Sequence, residues 1–254
     1  MPFSRRVIVV LTLAPLWPAV AQPASQARPL HIESDDGFVL AARYYSAGAA
    51  GPGVMLLHQC DREGPRTGYE ELTTLLTARG FNVLELDLRG FGKSRDERYP
   101  AFRGHLREIA PKFPGDVEAA YQHLVAQEEV DGGTIGVVGA SCGASQAIFL
   151  AQHHETITAL VFLSGALWPG ARDAFDDVKH LPILIATSEG DQVTETLREV
   201  FAASEAPSSR FLLYKGDLHG TPLFGLDNHL RLTILEWLVD ALTGAVDEGT
   251  HHLP

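Results

Sequence analysis

The chain has 254 residues, a formal net charge of −12 at pH 7 and 45% hydrophobic residues. This length is sufficient for one sizeable α/β domain with a buried core. The acidic balance, with no basic cluster to offset it, argues against nucleic acid and anionic membrane surfaces as partners.

The first residues predict a cleavable signal peptide over 1–21. Two arginines precede an apolar run over 7–13, and an Ala-Val-Ala cleavage site ends the segment. The apolar run is too short to span a bilayer, so we expect no stable membrane anchor and a periplasmic or secreted protein. Residues 22–29, rich in Pro, Ala, Ser and Gln, predict a flexible leader.

Hydrophobic patterning predicts one α/β domain over 30–243 and a polar tail over 244–254. A hairpin opens the domain, and strands and helices then alternate, which predicts a mostly parallel sheet with helices on both faces. The predicted strands cover 30–33, 38–45, 54–58, 81–88, 134–138, 157–164, 182–187 and 210–214, and the predicted helices cover 68–79, 116–127, 145–151, 194–204 and 228–243.

The connections between these elements limit what can cover the sheet. Residues 165–181 leave room for about one short helix, which excludes a large lid there. Asp116 is predicted to cap the helix that follows the irregular connection 95–114. The Asp-Gly-Gly at 131–133 predicts a turn before the central strand.

The central strand is followed by a Gly-x-Ser-x-Gly motif formed by Gly139, Ser141 and Gly143. A strand that turns directly into a helix exposes the residue at the turn and requires tiny neighbours. The motif therefore predicts Ser141 as a nucleophile on a strand-to-helix turn. A glycine-rich turn used only for packing is the alternative.

A serine nucleophile needs a base and an acid that orients the base. On a sheet of this kind they follow in the chain order Ser, Asp, His, and Asp191 and His219 stand after the last two predicted strands. Glu189 and Asp217 are substitutes for the acid, and a helix-capping role for Asp191 and a surface role for His219 are the alternatives.

Two backbone N–H groups should stabilise the oxyanion of acyl transfer. One is expected from Cys142, which follows the nucleophile, and the other from Cys60, in the loop after the strand 54–58. Gln59, Phe91, Trp168 and Phe224 are candidate pocket residues, although such side chains are more often part of the core. Arg89 and Lys93 fit solvated or structural roles better than substrate anchoring. We find no metal-ligand spacing and predict no cofactor.

Several segments together resemble small, lidless α/β-hydrolases related to dienelactone hydrolases and carboxylesterases. The resemblance implies the α/β-hydrolase fold without a large lid, and an open cleft suited to small ester substrates. The matching segments are Leu56-Leu57-His58-Gln59, Asp87-Leu88-Arg89-Gly90-Phe91-Gly92-Lys93-Ser94, Ile135-Gly136-Val137-Val138-Gly139-Ala140-Ser141-Cys142-Gly143, Gly190-Asp191 and Leu218-His219-Gly220.

The chain departs from these relatives at two places. Many relatives have His-Gly where this chain has His58-Gln59, and dienelactone hydrolases carry a cysteine nucleophile with a Glu in the loop that Gln59 occupies. Ser141 and the neutral Gln59 therefore favour the ordinary serine route. Cys142 stands where relatives often place an aromatic residue or Met.

The roles of Cys60 and Cys142 stay open at this point. In an exported protein they can form a disulfide that braces the oxyanion hole, and two buried free thiols are the alternative. Because Ala140 and Ala144 are also small, an elbow shifted by one residue with Cys142 as nucleophile is a further alternative.

The sequence thus predicts an exported serine hydrolase, a carboxylesterase of small esters. Dienelactone-hydrolase-like chemistry and amide or peptide cleavage are the alternative reactions. A non-catalytic binding protein with the same fold is the alternative of another class, against which the complete Ser, Asp, His set argues.

Overall fold

The computed structural model describes residues 26–60 and 68–244. They form an eight-stranded sheet with the order β1-β2-β4-β3-β5-β6-β7-β8. The strands are β1 (Arg28–Glu33), β2 (Val39–Tyr45), β3 (Gly51–Leu57), β4 (Asn82–Leu86), β5 (Val130–Ala140), β6 (Ile157–Leu163), β7 (Ile183–Ser188) and β8 (Arg210–Tyr214). The helices are α1 (Glu70–Ala78), α2 (Leu106–Ile109), α3 (Phe113–Val125), α4 (Cys142–His153), α5 (Ala171–Val178), α6 (Thr194–Ala203) and α7 (Leu230–Thr243).

The sheet is antiparallel at its first edge and parallel elsewhere, as the sequence predicts. β2 pairs antiparallel with β1 and β4, and β3 to β8 are joined through parallel pairs. Leu57 at the end of β3 pairs with Gly139 near the end of β5, so both strands finish at the same level. The loops that follow them therefore meet at one edge of the sheet.

Helices cover both faces of the sheet because the parallel strands are apolar on both sides. Along β3, Val54 and Leu56 pack into the core on the side of α1 and α7. Met55 and Leu57 pack into the core on the opposite side, which is covered by α3, α4, α5 and α6. The connection from β6 to β7 contains one eight-residue helix, α5, which confirms the prediction that no large lid is inserted there.

Several predicted boundaries differ from the structure, and three of them do so for an identifiable local reason. β1 begins at Arg28, inside the predicted leader, because its pairing with β2 extends to Tyr44. Residues 131–133, predicted to form a turn, are part of β5, and the pairing of β5 with β3 shifts its register at this point. Finally, α3 begins at Phe113 rather than at a cap on Asp116, because Pro114 is favoured in the first turn of a helix.

Asp116 instead binds Arg89, whose guanidinium lies between two carboxylates. Arg89 Nε and Nη2 donate to the Asp116 carboxylate at 3.0 and 2.6 Å. Its Nη1 and Nη2 donate to the Asp36 carboxylate, both at 2.8 Å. The guanidinium also lies 4.3 Å from the ring centre of Phe38. Arg89 is therefore structural and buried, in agreement with the prediction that it does not anchor substrate.

The predicted signal peptide, the first half of the predicted leader and the tail beyond residue 244 lie outside the described residues. Within the described residues, the helices are all too short or too polar to cross a membrane.

Candidate active site

Ser141 occupies a strained turn between β5 and α4. Its φ of 49° and ψ of −118° lie in a region that non-glycine residues rarely adopt. A Cβ on Gly139 would lie 2.5 Å from the nitrogen of Ala144, and a Cβ on Gly143 would lie 3.0 Å from the carbonyl carbon of Leu57. Close backbone contacts therefore require glycine at both positions, which explains the two glycines of the Gly-x-Ser-x-Gly motif.

Asp191 and His219 form a hydrogen-bonded pair at the same edge of the sheet. The Nδ1 atom of His219 lies 2.9 and 3.1 Å from the two carboxylate oxygens of Asp191. The Asp191 side chain is 4% exposed, whereas that of His219 is 29% exposed. Because a carboxylate only accepts hydrogen bonds, Nδ1 carries a proton in this contact, and in the neutral form of the ring the lone pair is on Nε2.

The loops that carry this pair are held together by further hydrogen bonds. Ser188 at the end of β7 donates its hydroxyl to the carbonyl of Leu218 at 2.7 Å. The N–H of Gly190 donates to the carbonyl of Gly216 at 2.8 Å. Asp191 and His219 are therefore brought together by two neighbouring strands, β7 and β8, rather than by their positions in the sequence.

The structure thus joins two of the three predicted catalytic residues. The His219 ring hydrogen bonds seen in the described part of the chain both go to Asp191, and none of them reaches the Ser141 hydroxyl. Such a bond often tightens only when substrate binds. The substitute acids Glu189 and Asp217 are exposed, while Asp191 faces the histidine.

Cys60 and Cys142 form a disulfide, with Cα atoms 5.8 Å apart. Cys142 is the first residue of α4, so its backbone N–H has no acceptor in the preceding turn of the helix. It is also 1% exposed. The left-handed backbone conformation belongs to Ser141, so these features do not match an elbow shifted to Cys142.

The candidate pocket residues separate into two groups. Phe91 and Phe224 are 1% and 2% exposed and pack inside the two opposite cores, so neither lines an open cleft. Trp168 is half-buried and its backbone N–H donates to the hydroxyl of Ser145 at 2.8 Å. The same hydroxyl donates to the carbonyl of Ala166 at 2.6 Å, which fixes the loop after β6 against α4.

Gln59 has a contact that the sequence did not reveal. Its Oε1 atom accepts hydrogen bonds from the N–H of Thr221 at 2.8 Å and from the Thr221 hydroxyl at 3.2 Å. Thr221 opens a 3-10 helix over Thr221–Gly225 that also escaped prediction. The Pro222 that follows was the available signal, since proline favours the first turn of a helix.

A cleft of about 450 Å³ lies at the other end of the sheet. It is lined by Arg28, Tyr44 and residues 126–129, which precede β5, and by none of the predicted site residues. The candidate active site is therefore assigned from its side-chain geometry and its place at the carboxyl ends of the strands.

Comparison with known proteins agrees with the fold described above. A family model described as serine aminopeptidase, S33, matches residues 66–180, which include Ser141. The chain also superposes on a dienelactone hydrolase from Anabaena variabilis with a TM-score of 0.71 and 19% identity, covering 87% of this chain and 100% of the other. The chain has the α/β-hydrolase fold.

Two further solved structures give similar superpositions. An esterase from Pyrococcus furiosus has a TM-score of 0.69 and 18% identity, with 89% of this chain and 96% of the other covered. A dienelactone hydrolase-like promiscuous phosphotriesterase from metagenomic libraries has a TM-score of 0.68 and 19% identity, with 87% and 100% covered. A comparison with curated protein sequences returns no significant match. At these identities the superpositions show the fold.

Proposed function

We propose that this chain is an exported serine hydrolase, a carboxylesterase that cleaves small esters through Ser141, His219 and Asp191. The observation that carries the proposal is the strained Ser141 turn at the sheet edge where Asp191 binds Nδ1 of His219. A hydroxyl presented on such a turn, with a base already oriented by a buried acid, is the arrangement that nucleophilic acyl transfer requires.

The reaction follows from the roles of these groups. Ser141 Oγ attacks the ester carbonyl while His219 Nε2 accepts the hydroxyl proton, and Asp191 stabilises the resulting imidazolium. The N–H groups of Cys142 and Cys60 stabilise the oxyanion. When the intermediate collapses, the carbon–oxygen bond to the alcohol breaks and His219 returns the proton to the leaving alcohol. Water then hydrolyses the acyl-enzyme by the same steps.

Export is supported by two independent features. The sequence of residues 1–21 has the pattern of a cleavable signal peptide. The disulfide between Cys60 and Cys142 suits an oxidising compartment such as the periplasm or the extracellular space. A small-molecule ester is the proposed partner, and the net charge of −12 disfavours nucleic acid.

The test uses the chain from Gln22 onward and the variant Ser141→Ala, assayed on nitrophenyl esters of increasing acyl length. We expect the unmodified chain to hydrolyse short esters, and Ser141→Ala to lose about 10⁶-fold in kcat or fall to background. Parallel assays on nitroanilides and lactones separate ester cleavage from the amide and lactone alternatives. Equal rates for the two proteins would contradict the serine mechanism, and no turnover of any substrate would favour a binding protein.

A further inference from the structure

The turn after β3 forms contacts with three separate segments through three successive residues. The N–H of Leu88, after β4, donates to Nε2 of His58 at 3.0 Å. Gln59 contacts Thr221, beyond the histidine loop. Cys60 is bonded to Cys142, next to the nucleophile. This turn, residues 58–60, therefore links the serine side of the site to the histidine side.

The orientation of the Gln59 amide is fixed by its partner. A backbone N–H only donates, so the Gln59 atom 2.8 Å from the nitrogen of Thr221 must be the carbonyl oxygen. The contact is buried, because Gln59 is 6% exposed and Thr221 is 7% exposed. If the acceptor is removed, water does not readily reach the buried donor to replace it. Removal of the contact therefore costs free energy.

Thr221 is the first residue of the 3-10 helix Thr221–Gly225, whose first N–H groups have no acceptor within the helix. The preceding residue, Gly220, has no side chain to cap it. Gln59 supplies that acceptor from 162 residues away in the sequence. Gly220 has a φ of 72°, and a Cβ there would lie 2.8 Å from the Cδ atom of Gln59, so the contact itself requires glycine after His219.

We propose that Gln59 is a positioning residue for His219. On the side of β7, the loop is held by Ser188 through Leu218 and by Asp191 through His219 itself. Two residues after His219, Gln59 holds it from β3. Because residues 58–60 are also bonded to Cys142, Gln59 sets the separation between the base and the nucleophile. This inference rests on the proposed function, in which His219 takes a proton from Ser141.

The test compares two substitutions of Gln59 in the disulfide-intact chain. Gln59→Met keeps the length and apolar stem of the side chain but removes the acceptor. Gln59→Glu keeps an acceptor for both Thr221 donors. We expect Gln59→Met to lower kcat about 10- to 100-fold with KM within about twofold, because small displacements of a catalytic group reduce rate rather than binding. Gln59→Glu should restore most of kcat, and its added charge should move the acid limb of the pH–rate profile to higher pH.

Gln152→Met is the matched control, since Gln152 lies on α4 and its amide hydrogen bond to Asp177 is exposed. It should leave kcat and KM unchanged. An unchanged kcat in Gln59→Met, or no rescue by Gln59→Glu, would overturn the inference while leaving the proposed function intact. If Gln59→Met does not fold, Gln59→Asn takes its place, because its side chain is one methylene shorter and holds the acceptor farther from Thr221. The expected result is the same, a lower kcat with KM nearly unchanged.

A second readout does not depend on turnover. The Nδ1 proton of His219 is followed in low-field ¹H spectra, with His219→Ala used to assign its resonance. We expect the resonance to shift or broaden in Gln59→Met and to stay unchanged in Gln152→Met. An identical resonance in the wild type and Gln59→Met would overturn the inference even for a chain that hydrolyses no ester, a result that would separately contradict the proposed function.

Discussion

Two groups of carboxylates in this molecule bind a basic side chain at similar hydrogen-bond distances but in different surroundings. Asp116 and Asp36 bind Arg89, which is 1% exposed, through four short contacts. Asp191 binds His219, whose side chain is 29% exposed and uses one ring nitrogen for the contact. The first pair surrounds a cation that cannot release its proton, whereas the second leaves one nitrogen of a titratable ring for chemistry.

Under the proposed function, this difference separates a structural role from a chemical one. A buried arginine between two carboxylates joins the hairpin β1–β2, the loop after β4 and α3, and any loss there should reduce folding stability. A buried acid behind a half-buried histidine joins two loops at the carboxyl ends of strands, and a loss there should reduce rate. Substitution of one acid in each pair tests this separation directly.

Asp191→Asn should have the largest effect. The amide keeps the shape of the side chain but no longer stabilises the protonated imidazole, and its NH₂ group can bind the wrong tautomer of His219. We expect kcat for ester hydrolysis to fall about 10⁴-fold, while urea unfolding changes little. A kcat within tenfold of the wild type would mean that Asp191 is not the acid, and Glu189→Gln and Asp217→Asn would then be compared.

Asp116→Asn should show the opposite pattern. It removes one of the two charges that compensate the buried Arg89, and loss of one partner of a buried ion pair costs about 3–5 kcal/mol. We expect this loss in the free energy of urea unfolding, with kcat per folded molecule unchanged. A large loss of kcat in a fully folded Asp116→Asn protein would show that the two pairs are not separate in function.

The disulfide between Cys60 and Cys142 should have a smaller effect on stability. It closes a loop with a sequence separation of 82 residues, and such cross-links typically contribute about 2–4 kcal/mol by restricting the unfolded chain. We expect a reductant to lower the thermal unfolding midpoint of the wild type. The double variant Cys60→Ser/Cys142→Ala is the control and should not respond, whereas equal midpoints for oxidised and reduced wild type would contradict the prediction.

A lower pH should weaken the interaction of Arg89 with Asp36, and we expect this to be the smallest effect on stability among these predictions. The hydrogen bonds from Arg89 hold the pKa of Asp36 well below its usual range, whereas burial raises the pKa of Asp116. A carboxyl with a depressed pKa contributes stability above its unfolded pKa of about 3.9, and that contribution is lost as the pH falls toward the folded pKa. Because Asp116 shifts in the opposite sense, the measurement compares the wild type with Asp36→Asn.

In urea unfolding, the stability advantage of the wild type over Asp36→Asn should therefore shrink between pH 5 and pH 3. A difference that stays constant over this range would contradict the assignment of the depressed pKa to Asp36.

The sequence predicted the parts of the site that depend on local constraints. The Ser141 turn needs small neighbours within two residues, and that requirement appears directly as Gly139 and Gly143. The order of strands then located Asp191 and His219. The contact between Gln59 and Thr221 joins residues 162 apart, so no local pattern indicates it, and Gln59 was predicted only as a candidate pocket residue.

Burial was predicted less well, because an aromatic residue in a loop can face either the cleft or the core. Phe91 follows β4 closely and packs against the rings of His58 and Phe102, at 4.9 and 4.8 Å between ring centres. Phe224 lies in the unpredicted 3-10 helix and packs near Tyr69. Both directions are set by tertiary packing rather than by the sequence around each ring.

The central claim is that Ser141 is a nucleophile activated by His219. A serine-reactive phosphonate, followed by proteolysis and peptide mass spectrometry, tests it most directly. The account predicts one phosphonylated site, at Ser141, with labelling lost in Ser141→Ala and strongly slowed in His219→Ala. Labelling at another residue, or equal labelling of the wild type and Ser141→Ala, would contradict it.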